Sequence, residues 1–315
     1  MINCAPYSLP EKYTPADETA LAYYQDSHDD YSQGRYEEAQ VKINQAIQLN
    51  PNFAQFYQLK GDIARALLKY DDALDAYKEA IRARSNFPAV YQSMGEIYYI
   101  KGQFEEAVKS YKKILATDEK RVDVYLETAS CYIQMQELSI AFNNIQDYLR
   151  LTESFGMPTS DSYLYLRGKI YFAQKKYAEA IADLSLYDKN HTRDKNSLSL
   201  LGRSHYALEE YEKGLSYYNR LVQLEPERGE WYLQRGIYFI QKEDFNDALS
   251  QFERALTLDN LLFEVYYYLG RVHEEQGNPD QALEAYERYQ ENAGEKCMFP
   301  DITDRIRNLH NRKNM

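Results

Sequence analysis

The side chains that most often carry chemistry are sparse in this sequence and poorly placed for it. Three cysteines, Cys4, Cys131 and Cys297, stand far apart with no C-x-x-C pair, so neither a disulfide framework nor a thiolate metal site is expected. Five histidines, His28, His191, His205, His273 and His310, show no pairing with Cys or acidic residues at metal-ligand spacing. There is no glycine-rich phosphate loop, no G-x-S-x-G and no H-E-x-x-H. Carboxylates are plentiful, but pairs such as Glu37-Glu38 and Asp71-Asp72 read as solvated turns rather than as a general acid and base. The sequon Asn190-His191-Thr192 is too short a motif to carry weight. The expectation is a chain without catalytic residues, metal or cofactor.

The elements that hold such a chain together are far more legible. Its 315 residues carry 37 basic and 49 acidic side chains, a net charge of −12. That balance lacks the basic footprint of a nucleic-acid binder, so no nucleic-acid partner is expected. No stretch approaches the length of apolar residues that spans a bilayer. Tyrosine is in excess, 32 beside 12 Phe and one Trp. A repeat accounts for it. Gly34-Arg35-Tyr36-Glu37-Glu38-Ala39 returns as Lys69-Tyr70-Asp71-Asp72-Ala73, as Gly102-Gln103-Phe104-Glu105-Glu106-Ala107 and as Glu243-Asp244-Phe245-Asn246-Asp247-Ala248. Ala39, Ala73, Ala107 and Ala141 are spaced by 34 residues; after a five-residue slip the series resumes at Ala180, Gly214, Ala248 and Ala282.

This period, with its small and aromatic positions, resembles the tetratricopeptide repeat family over residues 20–296. Numbered within each unit, position 4 holds Tyr23, Tyr57, Tyr91, Tyr125, Leu164, Leu198, Tyr232 and Tyr266. Position 8 holds Ser27, Gly61, Gly95, Ala129, Gly168, Gly202, Gly236 and Gly270. Position 24 holds Ile43, Tyr77, Tyr111, Ile145, Leu184, Tyr218, Phe252 and Tyr286. The resemblance implies an all-α superhelical solenoid of eight helix-turn-helix units, in which position 8 faces position 20 and both must be small. Many tyrosines are then packing residues whose hydroxyls reach the edge of the stack.

The resemblance also implies a concave groove lined by positions 2, 5, 9 and 12 of each first helix. The N-terminal half offers Gln55, Gln58, Asp62, Gln92, Glu96 and Asp123 there; the C-terminal half offers Tyr165, Lys169, Phe172, Ser199, Arg203, Tyr206, Tyr267 and Arg271. Cations interleaved with rings suit an extended peptide bearing carboxylates, since Arg pairs bidentately while rings bury side chains. The competing expectation is that these charges pair with neighbours, Arg271 with Glu274 or Glu275 for instance. Three consecutive units do not carry the Lys, Asn and Arg set with which some members clamp chaperone tails; Lys169, Leu200 and Gln234 stand where other residues are wanted.

The expected organisation is a Pro-containing tether over 1–19, four units over 20–155, a joint at 156–160, four units over 161–296 and a capping helix over 297–315. In that helix Asp301 serves as N-cap, and Ile302, Ile306 and Leu309 share one face. Asp26 at an apolar position marks unit one as a terminal repeat. The function expected is a non-catalytic, cytoplasmic protein-interaction scaffold with a protein or peptide partner, acidic in the groove reading. Two alternatives stand beside it. Cys4 heading a proline-rich segment is similar to the mature start of a bacterial envelope lipoprotein, which would place the chain on a membrane through an acylated Cys4, although no apolar segment precedes it. The other is a solenoid that assembles with copies of itself, the oligomeric state being open.

Overall fold

Each 34-residue period becomes a pair of helices because its apolar residues recur at helical spacing and a three-residue turn forces the chain back on itself. The computed structural model describes residues 15–118, 120–293 and 298–313. It divides into two compact units, Met1–Thr159 and Ser160–Met315. The first contains α1 (Pro15–Ser32), α2 (Tyr36–Leu49), α3 (Ala54–Ala66), α4 (Tyr70–Ala83), α5 (Pro88–Ile100), α6 (Phe104–Leu115), α7 (Asp123–Gln134) and α8 (Leu138–Ser154). The second contains α9 (Ser162–Ala173), α10 (Tyr177–Asp188), α11 (Lys195–Ala207), α12 (Tyr211–Leu224), α13 (Gly229–Gln241), α14 (Phe245–Leu258), α15 (Glu264–Glu275), α16 (Pro279–Ala293) and α17 (Ile302–Lys313). Within each unit successive helices pack pairwise, and each second helix also packs on the first helix of the next pair. No strand occurs among the described residues.

The turns share one conformation. Position 15 of every repeat has positive φ: Gly34, Gly102 and Gly277, but also Leu68, Gln136, Lys175, Glu209 and Glu243, at 57° to 62°. The next N–H reaches back five residues to close the helix, as in Lys69 to Ala64 (2.9 Å) and Glu210 to His205 (2.9 Å). That left-handed closure ends the first helix and aims the chain into the second. Five of the eight turns hold it without glycine.

The expectation that position 8 is small because of position 20 holds only in part. Ser27 Oγ does donate to the Ala39 carbonyl at 2.8 Å, so the two backbones approach. The neighbour that demands glycine, however, is position 24. A Cβ on Gly61, Gly95, Gly202, Gly236 or Gly270 would collide with the ring of Tyr77, Tyr111, Tyr218, Phe252 or Tyr286, respectively. Where position 8 carries a Cβ, at Ser27 and Ala129, position 24 is Ile43 and Ile145. The rings are 0–3% exposed, and several keep a hydroxyl partner: Tyr77 donates to Asp62 at 2.6 Å and Tyr286 to Glu274 at 2.7 Å.

The N-terminal boundary differs from expectation. Helix α1 begins at Pro15, so residues 15–19 are helical rather than part of a tether. Proline is tolerated at a first helical position, and Asp17 and Glu18 in the first turn favour the helix dipole. Cys4 lies outside the described residues. Asp26 is exposed, so its charge meets water. At the C-terminus Ile302 and Leu309 are buried, each 2% exposed, and Ile306 packs with them against Tyr267, Tyr286 and Tyr289. The Asp301 carboxylate engages Tyr267 and Arg305.

Candidate functional site

The first helices of the second unit carry the expected groove residues at repeat positions 5, 9 and 12. On α9, the Lys169 ammonium lies 5.5 Å from the Tyr165 ring centre. On α11, the Arg203 guanidinium lies 4.7 Å from the ring of Phe172, across the gap between neighbouring first helices. Both are cation–π distances, which hold a cation without neutralising it. Arg271, on α15, is half-buried. The expected pairing of Arg271 with Glu274 does not form, because Glu274 takes the Tyr286 hydroxyl (2.7 Å) and Arg305 (2.6 Å). Among the described residues none of Lys169, Arg203 and Arg271 has a carboxylate partner, whereas Arg167, Lys195, Arg220 and Arg305 all do.

Ser199 and Arg203 open onto a cavity of about 340 Å³. Gln234, Leu233, Ile237 and Leu262 line it, as do Glu230 and Glu264 on its rim and Phe299 from the segment before α17. At its wall the fully buried Tyr218 has a hydroxyl with no hydrogen-bond partner among the described residues. Burial, followed by the nearby Tyr206, raises the Tyr218 pKa far above the ordinary phenol value, so it remains a donor at any physiological pH. A cation, a serine hydroxyl, a carboxamide and an unused phenol therefore line one cavity of mixed polar and apolar walls, together with the carboxylates of Glu230 and Glu264. That set can receive a carboxylate or a backbone carbonyl next to an apolar side chain.

Two expected groove residues are committed elsewhere. Tyr206 donates to the Gln234 carbonyl at 3.0 Å and packs edge-on against Tyr218. Its ring also occupies the space a Cβ on Gly214 would need, so it is a packing residue behind the groove. Tyr267 is 6% exposed; Phe299 stacks on it with ring centres 3.6 Å apart and planes within 4°, and its hydroxyl donates to Asp301 at 3.0 Å. The chain's own C-terminal segment covers that position. Sequence reasoning misses Phe299 and Tyr218 as lining residues, because the first falls in the capping segment and the second at a packing position of the repeat.

In the first unit the equivalent face is acidic. Arg65 bonds Glu96 at 2.6 Å, Gln92 bonds Glu127 at 2.7 Å, and Arg121 is forked on Asp123. Burial raises the Asp62 pKa from its ordinary value, against the opposing hydrogen bond from Tyr77. Burial likewise pushes Glu127 up to about 7. Glu127, at position 6, was not among the expected groove residues. No group of three or more His, Cys, Asp and Glu able to hold a metal occurs among the described residues.

Comparison with known proteins agrees with the repeat of paired helices. A family model described as "Tetratricopeptide repeat" matches residues 24–88, 199–260 and 233–295, and a second of the same description matches 88–121. Residues 150–221 match a model described as "Anaphase-promoting complex, cyclosome, subunit 3". Similar curated proteins include the small glutamine-rich tetratricopeptide repeat-containing protein 2 of Saccharomyces cerevisiae, 28% identical over 29% of this chain and 26% of that protein. The human mitochondrial import receptor subunit TOM70 is 19% identical over 54% of this chain and 29% of its own length. The chain thus spans under a third of either relative. Among solved structures, a tetratricopeptide repeat protein from Parabacteroides merdae is 14% identical with a TM-score of 0.55, covering 93% of this chain and 99% of that one. The Cut9–Hcn1 hetero-tetramer of the anaphase-promoting complex is 11% identical with a TM-score of 0.61, covering 94% and 57%. These structural likenesses speak to the fold. By its period, its small and aromatic positions, its paired helices and these matches, the chain belongs to the tetratricopeptide repeat family, whose arrays act as protein-interaction scaffolds.

Proposed function

We propose that the chain is a non-catalytic scaffold whose second unit binds an extended, acidic segment of a partner protein along α9, α11, α13 and α15. The observation that carries this reading is the trio Lys169, Arg203 and Arg271, three cations on first helices with no carboxylate partner among the described residues. All three occupy repeat position 9 of their first helices, so the charges they leave unneutralised recur along one face. Tyr165 and Phe172 supply rings beside the first two, and the cavity next to Arg203 supplies a pocket for an apolar side chain adjoining an acidic one. Tyr206 supports this surface from beneath, and Phe299 covers the groove position at Tyr267. The names of the relatives, an import receptor subunit among them, fit a life spent in contact with other proteins.

The test is an anisotropy titration of fluorescein-labelled peptide pools of acidic, neutral and basic composition against the wild type and K169E/R203E/R271E. The acidic pool binds the wild type with an affinity that falls as salt rises, and charge reversal weakens it at least about tenfold. Equal affinity of the two proteins for the acidic pool overturns the assignment.

A further inference from the structure

The first unit contains a cavity of opposite character, about 380 Å³ in volume, lined by Glu96, Tyr99 and Ile100 from α5, Tyr111 from α6, and Glu127 and Ser130 from α7. Its polar groups are incompletely satisfied. Gln92 donates to Glu127 Oε1 at 2.7 Å, but Glu127 Oε2, sealed from water, receives no hydrogen bond from the described residues. Tyr111 is 3% exposed and lines the same cavity. The cations nearby are already committed, Arg65 to Glu96 and Arg121 to Asp123. Asp62, Glu96, Asp123 and Glu127 thus outnumber the two arginines that face them.

An orphaned carboxylate oxygen, a second carboxylate one turn of the repeat away and two phenol rings form the complement of a planar cation. A guanidinium offers several donors in one plane and stacks on aromatic faces while doing so; an ammonium offers only a hydrated point charge. The volume is ample for one long side chain, and Ile100 gives its methylenes an apolar wall. The terminal torsion of a glutamate is soft, so Glu127 can present an oxygen to a donor entering the cavity it lines. We propose that this cavity receives an arginine side chain of a partner protein, its guanidinium donating to Glu127 and Glu96 and lying against the rings of Tyr99 and Tyr111. The inference rests on the first unit alone and is independent of the acidic-segment reading of the second.

Glu127 gives the site a pH signature. Burial holds its carboxyl near 7, with the Gln92 hydrogen bond lowering it, Asp123 and Glu96 raising it and Arg121 lowering it. Cys131 and Tyr111 also face it, both kept protonated by burial. An incoming guanidinium favours the ionised carboxylate, so binding releases protons near neutrality and weakens on acidification.

The experiment uses the full chain and a fluorescein-labelled nonapeptide library with randomised flanks, its central residue fixed as arginine or as glutamine. Wild type prefers the arginine library about tenfold at pH 7.5 and loses most of that preference at pH 5.5. E127Q, which keeps the side-chain volume and removes only the charge, shows no preference at either pH; its far-UV circular dichroism matches wild type. K169E/R203E/R271E retains the preference, which separates this site from the second-unit groove. The proposal is overturned by a wild type without preference for arginine, or by an E127Q protein that retains it.

Discussion

Exchanging the residues at positions 8 and 24 of one repeat tests the packing rule that governs the whole fold. Gly236 lies under Phe252, and a Cβ there would stand 2.6 Å from Cδ1 and 2.8 Å from Cζ, with Cε1 closer still. Those distances are about 1 Å inside ordinary carbon contact, and Phe252 is fully buried with no room to retreat. Gly236→Ala should therefore cost about 2 kcal/mol, in the middle of the range for overpacking a tight core. Phe252→Ile removes ring volume without adding strain and should cost about 1 kcal/mol. Independent effects would sum to about 3 kcal/mol. The repeats at Ser27/Ile43 and Ala129/Ile145 already combine a Cβ with an isoleucine, and all four side chains are buried. The double variant should then cost only about 1 kcal/mol, a coupling of about 2 kcal/mol in the direction of rescue. Trp231, the single tryptophan, sits on α13 with Gly236 and is 2% exposed, so its fluorescence reports urea unfolding next to the substitution. Because repeat arrays can unfold in parts, hydrogen exchange of α13 and α14 should give the same ranking. A double variant as unstable as the sum of the singles, or a neutral Gly236→Ala, would refute the reasoning.

Further expectations concern the turns, the buried glutamate and the C-terminal cover. Leu68 is left-handed and 71% exposed; L68G should stabilise by about 0.5 kcal/mol, the ~1–2 kcal/mol left-handed cost less glycine's added entropy, and a destabilised L68G in thermal unfolding contradicts the turn geometry. Glu127 is raised from 4.5 to about 7 in the fold, so the native state binds more protons than the unfolded chain between those values. Stability from this group is therefore greatest below its unfolded pKa and falls as pH rises through 7. E127Q should gain about 2 kcal/mol over wild type at pH 8 and little at pH 5, and a difference independent of pH in parallel urea titrations counts against it. Phe299→Ala removes the ring stacked on Tyr267 and should cost about 1–2 kcal/mol, with faster amide exchange in α17 and α15; unchanged exchange there means the segment does not hold that end.

The repeat was legible in the sequence because it is local. A 34-residue period of small, aromatic and acidic residues is enough to pair helices and stack pairs, since each unit buries its apolar face only against the next. The tyrosine excess and the all-helical class follow from that period, while the amphipathic face of the final helix was legible in the spacing of Ile302, Ile306 and Leu309. So did the positions of Lys169, Phe172, Ser199 and Arg203 on the first helices, which a register count places on one face.

What the period could not decide is which side chains at those positions remain available. Tyr267 has the groove position of a ligand contact, yet Phe299 and Asp301, 32 and 34 residues later, spend it on the chain's own C-terminal segment. Tyr206 is spent on the Gln234 carbonyl. Arg271 is free of Glu274 because a third helix brings Arg305 to that carboxylate first. Glu127 sits one place away from the counted groove positions, and only its burial beside Glu96 with one unpartnered oxygen distinguishes it from a solvated glutamate. Periodicity assigns each residue to a face of its own helix. Competition for partners, which fixes the charge and exposure of that face, is settled between residues a repeat or more apart, and so only the tertiary structure decides it.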